Sequence, residues 1–277
     1  MERHFTVLPM SKTVVVINSL DESYIDAAVS FCLKNNIIYY VTKSDGTPAT
    51  GKNSVLDIFL ESDDEYMVHI DGDDILTPYG VDLYSRLSKK NDAPDCLVLY
   101  RQRALEKSKN GPYFTHHYPF DKSSHGHQTM TKQDIIEYFK QENTGNYSSE
   151  KAKEIAEHRI VFNDIVNKYG ESHESMCRIV FISKKCADIM RYDNTLKIGE
   201  DTIQFLKLKK IALNGGLNMV RYKEKRKPTY YYMQDFDGTV KQDDWDWIKS
   251  FNESVLNIEL PPKYESLPEF LDDEINK

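Results

Sequence analysis

The residues Asp71-Gly72-Asp73-Asp74 follow the apolar run Tyr66-Met67-Val68-His69-Ile70 and precede Ile75-Leu76-Thr77-Pro78. A short apolar strand that ends in clustered carboxylates sets hard oxygen ligands at the rim of a sheet, where α/β folds bind their substrates. Such a rim suits a divalent metal carrying phosphate. The same residues also suit plain local structure, with Gly72 making a turn and Asp73 or Asp74 capping a helix that starts near Pro78. A second acidic pair lies in Ile198-Gly199-Glu200-Asp201-Thr202, at the opening of another helix. Negative charge there is favoured by the helix dipole, by a few tenths to about 1 kcal/mol, whether or not it does chemistry. A third candidate is Gly46-Thr47-Pro48-Ala49-Thr50-Gly51-Lys52-Asn53, which departs from the phosphate-binding pattern GxxxxGK(S/T) at its last position. Asn53 replaces the hydroxyl that holds magnesium in that class, Ser54 comes one residue late, and a single short helix separates the loop from the Asp71 strand.

These groups need elements to carry them. Thr13-Val14-Val15-Val16-Ile17 reads as a buried strand and residues 23–34 as an amphipathic helix after the loop Asn18-Ser19-Leu20-Asp21-Glu22. Residues 37–41 read as a second strand, Ser44-Asp45-Gly46-Thr47-Pro48 as a loop, 53–60 as a helix and 66–70 as the third strand. Alternating strands and helices predict an α/β fold with a mostly parallel sheet flanked by helices. A helix over 78–89 and a strand over 96–100 continue the pattern, which breaks down over 101–170, a polar region with His116, His117, His125 and His127 and two predicted helices at 132–141 and 149–168. Order resumes with a strand at 178–182 and helices at 184–190 and 201–213. A basic run at 221–227, a tyrosine cluster at 230–232 and a tail with Pro261, Pro262 and Pro268 complete the chain, without internal repeat or heptad.

With 277 residues the chain can bury a core without disulfide or structural metal. The 44 acidic against 36 basic residues give a net charge of −8, which opposes long-range attraction to nucleic acid and disfavours a nucleic-acid acceptor. Cys32, Cys96, Cys177 and Cys186 lie in apolar or helical stretches with no CxxC spacing, as expected of reduced thiols in the cytoplasm. No window has the length of a signal peptide core or a transmembrane helix, so a cytoplasmic protein is expected.

From residue 13 to residue 78 the order is a strand, a helix, a strand ending in Ser44-Asp45-Gly46, a helix start at Gly51-Lys52-Asn53, and a strand ending in Asp71-Gly72-Asp73-Asp74. This resembles the nucleotide-binding half of GT-A-fold glycosyltransferases, in particular the large inverting family that includes bacterial polysaccharide synthases. Members show an Asp-Gly-Ser/Thr loop, an Arg-Asn pair opening the next helix, an Asp-x-Asp-Asp element followed by proline, and a Glu-Asp element, to which Glu200-Asp201 is similar. Lys52 stands where arginine is usual, keeping the charge but losing the planar fork. Tyr230-Tyr231-Tyr232 followed by Asp237-Gly238-Thr239-Val240 is similar to the family's tyrosine-rich strand and small polar loop. The match covers about two thirds of the chain.

The resemblance implies one GT-A-like domain over residues 1–277. Residues 1–100 would form the nucleotide-sugar-binding half, 101–177 a variable insertion, 178–240 the acceptor side with the catalytic base, and 241–277 a peripheral tail. It implies transfer of a sugar, with inversion, from a nucleoside-diphosphate-sugar such as a UDP-sugar to the hydroxyl of a glycan, lipid-linked or protein acceptor. Asp201 would be the general base beside Glu200, and Asn18, Ser19, Asp45, Lys52, Asn53, Asp71, Gly72 and Thr239 would contact the donor. Asp73 and Asp71 would hold the metal, Mn²⁺ or Mg²⁺ by their all-oxygen ligation. Two alternatives differ in class: a P-loop-like NTPase or kinase using the segment from Gly46 to Lys52 with Asp71, and a binding protein of the same fold without turnover. The four histidines lack supporting acid or cysteine for a metal cluster and suit the surface or an acceptor. The basic run suits a solvated face or an anionic group. Trp245 and Trp247 straddle Asp246 and so point to different faces, one for the core and one for a sugar.

Overall fold

The computed structural model describes residues 12–100, 103–107, 113–117, 178–196, 200–223 and 228–234. In chain order the first elements are β1 (Val14–Asn18), α1 (Glu22–Lys34), β2 (Ile38–Thr42), α2 (Pro48–Glu61) and β3 (Tyr66–Val68). There follow β4 (Ile75–Leu76), α3 (Pro78–Leu87), β5 (Cys96–Tyr100), β6 (Arg103–Lys107) and β7 (Tyr113–His117). The last are β8 (Arg178–Ser183), α4 (Lys184–Ile189), α5 (Glu200–Leu213), β9 (Met219–Lys223) and β10 (Tyr230–Gln234). The expected helices at 132–141 and 149–168, His125, His127, Thr239, both tryptophans and the tail lie outside the described residues.

The expected α/β fold is present, and its sheets are partly parallel. β1 pairs with β2 in parallel, Val14 opposite Ile38, and α1 supplies the crossover that parallel strands require. A four-stranded sheet has the order β3-β8-β5-β9. There β5 and β9 are parallel, whereas β8 enters antiparallel to both β3 and β5. A second four-stranded sheet, β4-β10-β6-β7, pairs β10 antiparallel to β4 and parallel to β6, with β6 antiparallel to β7. Strands β6 and β7 fall in the region whose polar sequence gave no pattern, and β9 includes the start of the basic run.

The sheet β3-β8-β5-β9 is buried on both faces, which is why β5 and β8 read as continuous apolar runs rather than alternating ones. Along β5, Cys96 and Val98 join a core with Leu56, Phe59, Cys186, Phe205 and Leu208 from the helices α2, α4 and α5. Leu97 and Leu99 join the opposite core with Leu76, Tyr84, Phe181 and Tyr230. Phe181 stacks on Tyr66 with ring centroids 5.0 Å apart, an offset contact that adds to the area it buries.

Helix starts follow their caps. Asp21 Oδ1 accepts from the backbone N–H of Ser23 and of Tyr24 at the start of α1. Thr47 caps α2 with Pro48 in its first turn, where a missing N–H costs nothing. The helix therefore begins at Pro48 rather than at the expected residue 53, and Pro48, Ala49, Thr50 and Gly51 are helical.

Helix α3 lies so close to the strand β10 that a Cβ at Gly80 would stand 2.2 Å from the Thr229 carbonyl oxygen. At Gly72 a Cβ meets nothing within 4 Å. Gly80→Ala is expected to lower stability by about 1–3 kcal/mol in urea unfolding, and Gly72→Ala to change it by less than about 0.5 kcal/mol.

Candidate active site

The loops that leave the first strands carry the residues singled out by sequence. Asn18, at the end of β1, donates from Nδ2 to Thr42 Oγ1 (2.9 Å) and to the Lys43 carbonyl (3.1 Å), tying the loop after β1 to that after β2. Gly51 lies against it, since a Cβ there would be 3.4 Å from Asn18 Cβ. Ser19 Oγ accepts from the Asp21 N–H. Asp45 Oδ1 accepts from Thr47 N–H (2.9 Å) and Thr47 Oγ1 (2.7 Å). Hydrogen bonds from Thr50 and Thr47 hold this exposed carboxyl down at about 2. Gly46 sits at φ 85°, a left-handed conformation that glycine takes without strain.

Helix α2 aims Lys52 inward, where it is 8% exposed. Its Nζ lies 2.7 Å from Glu200 Oε1 and 2.6 Å from Asp201 Oδ1, and 5.3 Å from the centre of the Tyr192 ring. The two carboxylates open α5, whose N-terminus favours them. Burial alone would lower the Lys52 ammonium, but Asp201, Asp71 and Glu200 around it raise it well above the ordinary lysine value. Burial pushes the Glu200 carboxyl up, and Lys52 opposes that. The two acids differ in access, with side chains 7% exposed for Glu200 and 37% for Asp201.

A second cation holds the other acidic group. Arg178, the first residue of β8, has Nη1 2.6 Å from Asp71 Oδ2 and 3.0 Å from Asp74 Oδ2. It also donates to Tyr230 Oη at 3.2 Å, and Tyr230 Oη donates in turn to Asp74 Oδ2. The guanidinium lies 5.4 Å from the Tyr230 ring centre and 5.3 Å from that of Tyr232, both favourable cation–π distances. Partial burial would raise the Asp71 carboxyl, but Arg178 and then Lys52 hold it far below the ordinary carboxylate range. His69 Nε2 is 3.8 Å from Asp71 Oδ1, and burial lowers the imidazole. Asp73 is exposed.

The structure thus brings Lys52, Asp71, Glu200 and Asp201 into one charged cluster, with Asp73 and Gly72 at its exposed rim. It does not bring in Asn53, whose side chain donates to the Tyr192 carbonyl (3.0 Å) and accepts from the Tyr192 N–H (2.9 Å). Asp45 and Ser19 serve the turns that enter α2 and α1, and Thr239 lies outside the described residues. The P-loop alternative fails on geometry, since Pro48 to Gly51 are helical and Lys52 is bound to two carboxylates. The sequence placed Asp74 only within the acidic loop and Tyr230 only within the tyrosine cluster, and gave no role to Arg178. The available signal was one arginine at the head of the otherwise apolar Arg178-Ile179-Val180-Phe181-Ile182.

No protein-family model matches the chain, and no curated protein does. Among solved structures it is similar to S. aureus TarS residues 1–349 in complex with UDP, with TM-score 0.46 and 13% identity. It is similar to the same S. aureus protein crystallised as residues 1–349, with TM-score 0.46 and 15% identity. In both cases the match covers 94% of this chain and 62% of the other, so the chain spans about three fifths of the length of the proteins it matches. At that TM-score the likeness carries no functional weight. No helix among the described residues is long and apolar enough to cross a membrane.

Replacing Lys52 by Met strands one buried and one half-buried carboxylate beside each other. Lys52→Met is expected to cost about 3–5 kcal/mol in denaturant unfolding. Adding Glu200→Gln should recover part of that loss, because it removes the buried unpaired charge.

Proposed function

We propose that the chain transfers a sugar from a nucleoside-diphosphate-sugar, a UDP-sugar in the first instance, to an acceptor hydroxyl with inversion. The observation that carries this reading is the meeting of Glu200-Asp201 with Lys52, in the same cluster as Asp71. Two acidic elements far apart in sequence, one for the donor and one for the acceptor, converge at the rim where the strands β1, β2 and β3 end.

Asp201 is the base in this account. Lys52 holds its Oδ1, while its exposure leaves the second oxygen for an acceptor O–H. As the acceptor oxygen bonds to the anomeric carbon, its proton passes to Asp201 and the bond from that carbon to the diphosphate oxygen breaks, releasing the nucleoside diphosphate. Glu200, less exposed and bound to the same ammonium, keeps Lys52 in place. A single accessible carboxylate on the acceptor side suits direct displacement.

The charge balance bears on a metal. Lys52 and Arg178 offset only part of the charge on Asp71, Asp73, Asp74, Glu200 and Asp201. An anionic diphosphate is repelled by the remainder unless a further cation comes with it. Asp73 and Asp71 fit Mn²⁺ or Mg²⁺, which take oxygen ligands and complete their shells with water and substrate phosphate. Among the described residues no group of three or more His, Cys, Asp or Glu side chains is assembled for a metal, and the two carboxylates are the ligands proposed from that part of the chain. The ion, when bound, neutralises charge on the leaving diphosphate.

Thermal-shift measurements with UDP, UDP-glucose, UDP-galactose, UDP-N-acetylglucosamine, GDP-mannose and ATP, each with and without Mn²⁺, test the donor. A ligand at a hundredfold excess over Kd stabilises by about 2.7 kcal/mol, so manganese-dependent stabilisation by a UDP compound is expected. In the same panel repeated with Mg²⁺, stabilisation by ATP and by no nucleotide-sugar would overturn the reading. Asp201→Asn is expected to cut transfer by about 10²-fold or more and leave UDP affinity unchanged. Weakened UDP binding would instead move Asp201 to the donor, and full activity would remove it from the chemistry.

A further inference from the structure

Beyond its share in the charge balance Arg178 has no role in the proposed reaction, yet its side chain is bound on several sides. It is 13% exposed, lies against two tyrosine rings, and reaches Asp71, Asp74 and the Tyr230 hydroxyl with one nitrogen. Its place follows from the fold. β8 runs antiparallel to β3, with Phe181 opposite Val68 and the Val180 carbonyl accepting from His69 N–H, so the head of β8 meets the loop that leaves β3.

We propose that Arg178 is a resident competitor of the metal for Asp71, and that it makes metal binding depend on the nucleotide diphosphate. A divalent ion drawing on Asp71 and Asp73 must share Asp71 with a guanidinium 2.6 Å away. Taken alone, the ion gains one carboxylate only by weakening a charge-assisted hydrogen bond in a poorly hydrated place. When a diphosphate arrives with the ion, its oxygens give the guanidinium N–H groups a new anionic acceptor, and like-charge repulsion between the two cations is offset. Asp74, fully buried and bonded by Tyr230, keeps the guanidinium near the site through this exchange. The site would stay closed to free metal ions and assemble only with donor.

The inference rests on the transferase reading and on Asp71 as a metal ligand. Equilibrium dialysis of the full chain against Mn²⁺, alone and with equal UDP on both sides, tests it without turnover. Wild type is expected to retain Mn²⁺ weakly alone and about tenfold or more tightly with UDP. Arg178→Gln combined with Asp74→Asn removes the arginine without stranding the fully buried Asp74 charge, and leaves the part-exposed Asp71 to solvent and the ion. It is expected to bind Mn²⁺ alone about tenfold more tightly than wild type, with a smaller gain from UDP. Arg178→Lys, which keeps the charge but not the planar fork, should fall between the two. Unchanged affinity for Mn²⁺ alone in both variants, with UDP still tightening it, would overturn the role of Arg178 and leave the transferase reading standing. Failure of wild type to retain Mn²⁺ even with UDP would overturn both.

Discussion

A lysine with 8% of its surface exposed cannot remain charged without anions beside it, and for Lys52 those anions come from 148 and 149 residues further along the chain. That requirement joins α2, which follows the first βαβ unit, to the head of α5. In the proposed reaction it would place the acid facing the acceptor beside the loops facing the donor. The same logic recurs at Arg178, which binds the head of β8 to the acidic loop after β3 and, through Tyr230, to the second sheet. Two cations therefore hold Asp71, Asp74, Glu200 and Asp201 together.

The core makes this placement possible. The sheet β3-β8-β5-β9 is covered on one face by α2, α4 and α5 and on the other by α3 and the tyrosines of β10. Each charged element is thus anchored by apolar neighbours: Ala49, Leu56 and Phe59 on α2, Ile203, Phe205 and Leu206 on α5, and Val180 and Phe181 on β8. Isolated, such ion pairs would contribute little. On rigid, packed elements the carboxylates hold their orientation without the substrate having to order them.

Much of this was legible in the sequence where the signal is local. The apolar runs gave β1, β2, β3, β5 and β8 within a residue or two, whereas the helix at Pro78 is capped by Thr77 and not by the expected Asp73 or Asp74. Pro48 carried the signal for an earlier start of α2, which the turn-forming residues around it obscured. The acidic pair at 200 and 201 and the acidic loop at 71 to 74 were visible as candidates. What local pattern could not supply was pairing. The partner of Asp71 is 107 residues away and the bond from Arg178 to Tyr230 spans 52. Asn53 stood as a donor contact through the family resemblance, and the structure shows its amide giving one hydrogen bond to, and accepting one from, the Tyr192 backbone. The start of the basic run read as a surface segment because Arg221 and Lys223 are charged, whereas both pair with β5 in the sheet. The mostly parallel expectation could not see that β8 enters in the opposite direction, since strand direction is set by the connection and not by the strand's own residues.

The most direct measurement is a crystal structure of the chain with UDP and Mn²⁺. The account predicts a diphosphate beside Asp73 and Asp71, with the carboxylate of Asp201 facing the open side where an acceptor would enter and Lys52 still bound to it. Phosphate density at the N-terminus of α2, with Lys52 turned away from Glu200 and Asp201 to meet it, would contradict the account.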